Sequence, residues 1–260
     1  MKVPIHPTAK NGFTMIELIV VVVIIGIIGL FGADFISKGF EGFMATDNRV
    51  AIYEEGKIAL VRMEREIHNA VPNAVVSAGD LRFGMIDEEA MNAVPSVFGR
   101  YLESPPTTTI TDLTGPLAAG AVVTIYNRNW NDFTTSVLGQ RRLYTVNAVA
   151  GATMTLSKNL TPPRSSPLKR YYAVDRAVRY YLDGAGNLLR AQLPINVESV
   201  DFTTLPAQPG YPLARNVSGL AFSYAPAVLT RNAVVTIEFT ITKGGEAVNF
   251  HKEVHIRNAP

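Results

Sequence analysis

The sequence predicts an α+β chain in which one long N-terminal helix packs on an antiparallel, β-rich C-terminal domain. No proline occurs between Pro7 and Pro72, so nothing in that interval forces a helix to break. A continuous apolar run followed by an amphipathic pattern fills the interval. From Asn73 onward, short runs rich in valine, threonine, tyrosine and phenylalanine alternate with turn residues, which is the pattern of β-strands.

The first element is an apolar segment that is long enough to cross a membrane. Residues 18–33 are all apolar or glycine, and with residues 13–17 they reach the ~20 residues that span a bilayer as a helix. Lys2 and Lys10 precede the segment, and Asp34 is the first charge after it. This charge distribution favours a cytoplasmic N-terminus and a C-terminal body outside the membrane.

Glu17 lies at the start of the apolar run, and its position has three interpretations. A secretory signal peptide would need a small-residue cleavage site after the run, but Phe31 stands where a small residue is required. A plain signal anchor would let the carboxylate reach the interface, since full burial costs on the order of 2.5–3.5 kcal/mol. The third interpretation is cleavage between Gly12 and Phe13, which gives Glu17 a charged partner.

Cleavage after Gly12 would remove residues 1–12 and leave a new α-amine on Phe13. That amine is a cation near neutral pH. Glu17 then lies one helical turn downstream, about 6 Å along the helix axis, where the positive end of the helix dipole also favours a carboxylate. The carboxylate can pair with this amine or with that of a neighbouring copy. Such a pair would offset the cost of burying Glu17 in lipid and would favour assembly of subunits.

The stretch G-F-T-M-I-E at residues 12–17 follows a basic leader and precedes a long apolar run. It resembles the class III signal of type IV pilins and type II secretion pseudopilins. The resemblance implies that a membrane prepilin peptidase cuts after Gly12 and N-methylates Phe13, and that Glu17 neutralises the N-terminus of an adjacent subunit. The implied partners are this peptidase and methyltransferase, other major and minor pilins, the inner-membrane assembly platform and membrane lipid.

The second half of the predicted helix is amphipathic and extends to about Val71. Its predicted apolar stripe repeats every seven residues, and the residues are Tyr53, Leu60 and Ile67 with Gly56, Met63 and Ala70 on the adjoining row. The opposite face carries Glu54, Glu55, Lys57, Arg62, Glu64, Arg65 and Glu66. We interpret these charges as a solvated face, in which Arg62 and Glu66 form an i,i+4 pair worth about 0.2–0.5 kcal/mol.

The remaining chain is predicted to be one β-rich domain. Residues 183–187 (DGAGN) and the Gly244-Gly245 pair separate strand-like runs, and both are strong β-hairpin signals. Segments 103–120 and 161–169 are rich in threonine, serine, proline and glycine and predict surface loops. The predicted division is therefore a leader (1–12), a membrane half (13–35), an amphipathic helix half (36–72) and an extracytoplasmic domain (73–260).

Composition excludes several classes of function. A formal charge of +2 over 260 residues, without a basic stripe, gives no support for nucleic-acid binding. The absence of cysteine excludes disulfides, thiolate metal sites and cysteine nucleophiles. No serine has a Gly-x-Ser-x-Gly setting, so a nucleophile elbow is not supported. We therefore expect a protein that is not an enzyme and has no cofactor.

Three local motifs suggest chemistry but favour structural roles. His251 and His255 lie four residues apart in a strand-like run, about 13 Å from each other, which is too far to share a metal. Asp183 and Asn187 supply two oxygens, whereas a calcium site needs six to eight. The single tryptophan, Trp130, is interpreted as an ordinary half-buried aromatic. We expect no metal site.

The later sequence narrows the resemblance. The stretches GKIALVRMEREIHNAVPNAV, VRYYLDGAGNLLR, VSGLAFSYAP and EVHIRNAP are similar to minor pilins of the MSHA type, the MshO-like branch, which is related to the secretion pseudopilin J group. That branch implies cysteines near Tyr181 and Leu220, and this chain has neither. The resemblance implies a minor pilin that takes part in initiating or capping a type IV, MSHA-like pilus and that leaves the inner membrane for the fibre.

Two alternatives remain open at this stage. A pseudopilin of a type II secretion system would carry the same N-terminal signal. A signal-anchored envelope enzyme or binding module would instead need a pocket with convergent polar groups in the β-rich domain.

Overall fold

Helix α1 (Met15–His68) is the first element of the computed structural model and crosses the boundary between two compact units. One unit ends at Asn48 and the other begins at Arg49. The structure describes residues 12–92, 98–104, 108–161, 166–228 and 231–257. The predicted α+β class is confirmed, because a long N-terminal helix is followed by strands whose pairings are all antiparallel within this described part.

The second unit adds two short helices and thirteen strands within the described residues. The helices are α2 (Glu88–Asn92) and α3 (Trp130–Thr134), with a 3-10 turn at Phe202–Ala207. The strands are β1 (Ala70–Ser77), β2 (Leu81–Ile86), β3 (Gly99–Ser104), β4 (Thr109–Asp112), β5 (Val122–Thr124), β6 (Leu143–Ala150), β7 (Thr153–Leu156), β8 (Arg170–Leu182), β9 (Leu188–Pro194), β10 (Tyr211–Ala214), β11 (Val217–Ala225), β12 (Val234–Lys243) and β13 (Glu246–His255).

Helix α1 ends three residues before the predicted end at Val71. Asn69 N donates to Glu66 O over 3.2 Å, a tightened last turn, and Pro72 cannot continue the helical hydrogen bonds. Strand β1 therefore begins at Ala70, earlier than the predicted start of the β-rich domain at Asn73.

The buried stripe of α1 within the second unit confirms Gly56, Met63 and Ile67, but Ile52 and Ala59 are buried where Tyr53 and Leu60 were predicted. It consists of Ile52, Gly56, Ala59, Met63 and Ile67. Tyr53 is 53% exposed, so its place in the predicted stripe is wrong. The spacing of four, three, four and four residues follows the 3.6-residue helical period more closely than a strict repeat of seven does.

The strands form two sheets. Strands β11, β12 and β13 form a three-stranded meander. The other ten strands share a larger sheet in which β8, thirteen residues long, has a double role. Its C-terminal half pairs with β2 and β9, whereas its N-terminal half pairs with β3 and β5. The order β8-β3-β4-β7-β6-β5 returns to β8 and closes a six-stranded barrel.

The barrel was not predicted from the sequence, and the prediction of a surface loop at residues 103–120 is wrong. Segment 103–120 contains strand β4 and the buried side chain of Ile110. The buried tyrosines Tyr101, Tyr144 and Tyr171 lie in the barrel core, and the hydroxyl group of each has a hydrogen-bond partner. Burying phenol rings with their hydroxyl groups satisfied gives the barrel a large apolar core without an unpaired polar atom at these positions.

The helix stripe packs into a second core with residues from both sheets. This core includes Phe83 of β2, Val178 of β8 and Phe250 of β13. Gly56 permits the closest approach, because a Cβ atom at this position would lie 2.1 Å from the ring of Phe250. Any larger residue at position 56 would therefore force the Phe250 ring of β13 to move.

One charged residue of the predicted solvated face, Glu66, is half-buried instead. The Glu66 carboxylate accepts hydrogen bonds from Arg190 Nε at 2.8 Å and from the Tyr180 hydroxyl group. Only 13% of its side chain is exposed. The predicted i,i+4 pair is confirmed, since Arg62 Nε lies 3.6 Å from Glu66 Oε1.

Both predicted hairpins are confirmed. Strands β8 and β9 are joined by residues 183–187, where Asp183 N donates to Asn187 O over 3.0 Å. Gly244 and Gly245 join β12 to β13, and both have positive φ angles of 59° and 84°. Such angles are readily adopted by glycine in a two-residue turn.

Candidate processing site at the start of the long helix

The predicted cleavage site lies in exposed, non-helical chain directly before α1. Gly12, Phe13 and Thr14 precede the helix, and all three are exposed. The Phe13 side chain is 83% exposed. Exposed backbone outside regular structure is the form in which a protease can bind a peptide bond.

Thr14 caps the helix, a role that the sequence interpretation missed. Its Oγ1 accepts a hydrogen bond from Glu17 N at 3.3 Å, and its carbonyl oxygen accepts from Leu18 N at 3.2 Å. Glu17 therefore occupies the third helical position, and residues 14–17 read T-x-x-E, the sequence signature of a capping box. That four-residue signature was available in the sequence.

Glu17 lies in the first turn of α1, where the helix dipole favours a negative charge. The structure thus brings Gly12, Phe13 and Glu17 within six consecutive residues at one helix terminus. Their roles as cleavage, methylation and charge-pairing residues stay predictions.

The helix that follows is apolar and exposed over its first part. Among the described residues, α1 is the one helix long and apolar enough to cross a membrane, and none of its apolar window is buried. Exposed side chains in this part include Leu18, Ile19, Val22, Ile25, Ile28, Leu30 and Phe31. Exposure of this many apolar residues in water is unfavourable, so the segment requires an apolar environment.

His251 and His255 lie on strand β13, as predicted, and each contacts a different neighbouring element. His251 Nδ1 is 3.0 Å from Glu238 Oε1, its direct cross-strand neighbour on β12. The His255 carbonyl oxygen lies 2.9 Å from His68 Nδ1, which ties the end of α1 to the end of β13. No group of three or more possible metal ligands occurs in the part of the chain that the structure describes.

The Asp183 carboxylate accepts hydrogen bonds from residues of its own turn. Oδ1 accepts from Ala185 N at 2.9 Å and Asn187 N at 2.7 Å, and Oδ2 accepts from Asn187 Nδ2 at 2.8 Å. These hydrogen bonds, above all the one from the Asn187 side chain, hold the pKa of Asp183 below its ordinary value. The arrangement gives this residue a structural role in the hairpin.

Trp130 is half-buried, as predicted. Its ring lies 5.7 Å from that of Phe133 and 6.0 Å from that of Phe202, centroid to centroid. It therefore belongs to an aromatic cluster beside the barrel core.

Comparison with known proteins finds one family match. Residues 7–33 match the family model described as the prokaryotic N-terminal methylation motif. The match includes Gly12, Phe13 and Glu17 with the apolar run, and it supports a type IV pilin-like protein with a membrane-anchoring helix and a leader for prepilin peptidase. No curated protein and no solved structure matches the chain.

Proposed function

We propose that the chain is a minor pilin that takes part in initiating or capping a type IV, MSHA-like pilus. The observation that carries the proposal is the methylation motif over residues 7–33, in which the exposed residues 12–14 directly precede a long helix. This combination is what a leader peptidase and a helix-based assembly would both require.

The proposed mechanism begins with the peptide bond after Gly12. Its cleavage creates a cationic amine on Phe13, which is then methylated and stays charged. The Glu17 carboxylate neutralises such an amine on a neighbouring subunit, and an ion pair formed in lipid is much stronger than one in water. Residues 13–35 hold the chain in the inner membrane until a fibre takes it up, with the N-terminus cytoplasmic and residues 73–260 periplasmic.

The size of the outer domain supports a minor component. Removal of the 12-residue leader from 260 residues leaves a chain that is long for a fibre-building pilin. The barrel between β2 and β8 accounts for much of this length. A bulky domain is more easily accommodated at a fibre tip, where fewer neighbours crowd it.

The proposal is tested by the mass of the mature N-terminus. The chain is expressed with a prepilin peptidase, and the first peptide is expected to begin at N-methylated Phe13. Gly12→Val should leave the precursor uncleaved, whereas Asn11→Ala, a change at the preceding residue of the leader, should be processed normally. A mature chain that retains its first 12 residues would contradict the proposal.

A pseudopilin of a type II secretion system is the second candidate, because the matched motif lies in the part that both classes of protein share. Deleting the gene in its own host separates them. Loss of surface pili with normal protein secretion supports the pilus, and loss of secretion with normal pili supports the pseudopilus.

A further inference from the structure

An open groove runs along the flank of α1 within the second unit, and its volume is about 670 Å³. Met85 of β2 and Glu88 of α2 form one wall. The helix forms the other wall with Lys57, Ile58, Val61, Arg62, Arg65 and Glu66. None of these helix residues belongs to the buried stripe of α1.

The helix wall of the groove is apolar at its centre. Ile58 is 69% exposed and Val61, almost one turn later, is 50% exposed. Met85 faces them from the opposite wall and is half-buried. Exposed apolar side chains gathered in a groove with a polar rim are typical of an interaction site.

The accessible charge on the helix wall of the groove is positive. The Glu66 carboxylate is held by Arg190, Tyr180 and Arg62, and Glu88 Oε1 accepts a hydrogen bond from Asn69 Nδ2 at 2.6 Å. Lys57 and Arg65 are exposed, and within the described ranges neither has a carboxylate at ion-pair distance. Glu66 is thus paired with cations, whereas Glu88, on the opposite wall, is exposed and keeps its charge. On the helix wall, Lys57 and Arg65 are the accessible charges.

We propose that this groove docks an amphipathic helix of another protein subunit, one with an apolar stripe flanked by carboxylates. Ile58 and Val61 offer an apolar strip to side chains spaced at i, i+3 and i+7 of such a helix. Lys57 and Arg65 are eight residues apart, about 12 Å along α1, so they can pair with carboxylates two turns apart on the partner.

The combination of charge and shape favours a helix over an anionic membrane surface. Lipid headgroups would neutralise the cations but would leave Ile58 and Val61 exposed to polar groups. A helix with both features satisfies the apolar strip and the rim together. The inference stands on the groove alone, so it can fail while the proposed leader cleavage holds, and the reverse is also true.

The test uses the full chain in phosphatidylcholine nanodiscs and a fluorescein-labelled synthetic peptide. The peptide is a helix of about 16 residues, long enough to hold structure, with leucine at i, i+3, i+4 and i+7 and glutamate beside the stripe. Fluorescence anisotropy is expected to show binding. The same peptide with lysine for glutamate should bind at least about tenfold more weakly, because it meets like charges.

Variants assign the binding to the groove. Lys57→Glu with Arg65→Glu is expected to reverse the preference, so that the lysine peptide binds more tightly. Ile58→Ser with Val61→Ser should weaken the glutamate peptide although the charges are unchanged. Arg215→Glu with Lys243→Glu makes the same charge change at two exposed residues outside the groove, and binding should stay the same.

Several results would overturn the inference. Absence of binding, equal binding of the two peptides, or no effect of the groove variants would each do so. Loss of peptide binding when phosphatidylglycerol replaces phosphatidylcholine would assign the cations to the membrane surface instead.

Discussion

Two glutamates of α1 show how position decides what a carboxylate does. Glu66 is enclosed by Arg190 and Tyr180, and the Arg190 side chain is only 6% exposed. Burial, followed by the Glu66 charge, raises the pKa of Tyr180 well above its ordinary value. The phenol therefore keeps its proton throughout the physiological range and donates a hydrogen bond to Glu66. Glu64, two residues earlier, pairs with Lys252 at 3.0 Å with its side chain 42% exposed.

Glu66→Gln is expected to destabilise the second unit by about 3 kcal/mol, because it leaves the buried Arg190 charge without its carboxylate. Glu64→Gln is the matched control and should cost less than about 1 kcal/mol, as expected for an exposed pair. Urea unfolding of the full chain in detergent micelles, followed by circular dichroism, measures both. Equal effects of the two substitutions would show that the Glu66 cluster contributes no more to stability than the exposed Glu64–Lys252 pair.

The lowered pKa of Lys158 predicts that the stability of the chain depends on pH. Partial burial lowers its pKa from 10.5 to about 8, and its amino group donates to Leu138 O. Between these two values the unfolded chain binds more protons than the folded chain, so stability rises as the pH rises through this window. Below about pH 8, both states carry the charge and the full cost of burying it is present.

The matching measurement compares the wild-type chain with Lys158→Met. The free energy of unfolding of the wild type, relative to the variant, should increase between about pH 7.5 and pH 9.5. The measurement stops at about pH 9.5 because tyrosines of the unfolded chain ionise near pH 10. Burial raises the pKa of Tyr101 to about 12 in the folded chain, so this ionisation favours the unfolded state and lowers stability. A difference that does not change with pH would refute the assignment.

At the scale of elements, the contact between α1 and β13 depends on a glycine. The Phe250 ring occupies the space above Gly56 and stacks on Phe239 at a centroid distance of 4.9 Å. A glycine inside a helix normally destabilises the helix by up to about 1 kcal/mol relative to alanine. Here the close packing of Gly56 against Phe250 offsets that cost.

Gly56→Ala should therefore lower the melting temperature of the second unit, with a loss of about 1–3 kcal/mol from overpacking. Gly42→Ala, also within α1, meets no atom within 4 Å of the new Cβ and should leave that melting temperature unchanged. Differential scanning calorimetry of the full chain in micelles tests the pair. A Gly56 variant that melts higher than the wild type would show that helix propensity outweighs the clash.

The strands show which elements a linear pattern predicts. The turn at residues 183–187 and the Gly244-Gly245 turn were predictable because hairpins are local and their backbone angles select particular residues. Strands β3 and β4 were not, because β3 runs into a threonine- and proline-rich stretch and β4 lies within it. Their stability comes from pairing with β8 and β7, which are distant in sequence.

At the scale of the whole molecule, the unit that begins at Arg49 contains both apolar cores. Its part of α1 supplies the buried stripe from Ile52 to Ile67, which closes the second core. The contacts that stabilise the β-rich domain are therefore complete without the apolar part of the helix.

A fragment of residues 49–260 is expected to fold in water without detergent. Its Trp130 fluorescence and melting temperature should match those of the full chain in micelles. A fragment of residues 70–260 lacks the stripe and should aggregate, because the apolar faces of β12 and β13 are then exposed. Failure of the longer fragment to fold would show that residues 12–48 contribute to the stability of the domain.

The sequence by itself determined the local features: the apolar run, the T-x-x-E start of α1, the tight hairpins and the methylation motif. Each depends on neighbouring residues, so a short stretch carries all the information. The tertiary structure alone decided the closed barrel, the buried Glu66–Arg190 pair, the row of α1 that faces the core and the open groove. These features arise from residues far apart in the chain, and the free energy that selects them comes from shared burial, which no single stretch of sequence records.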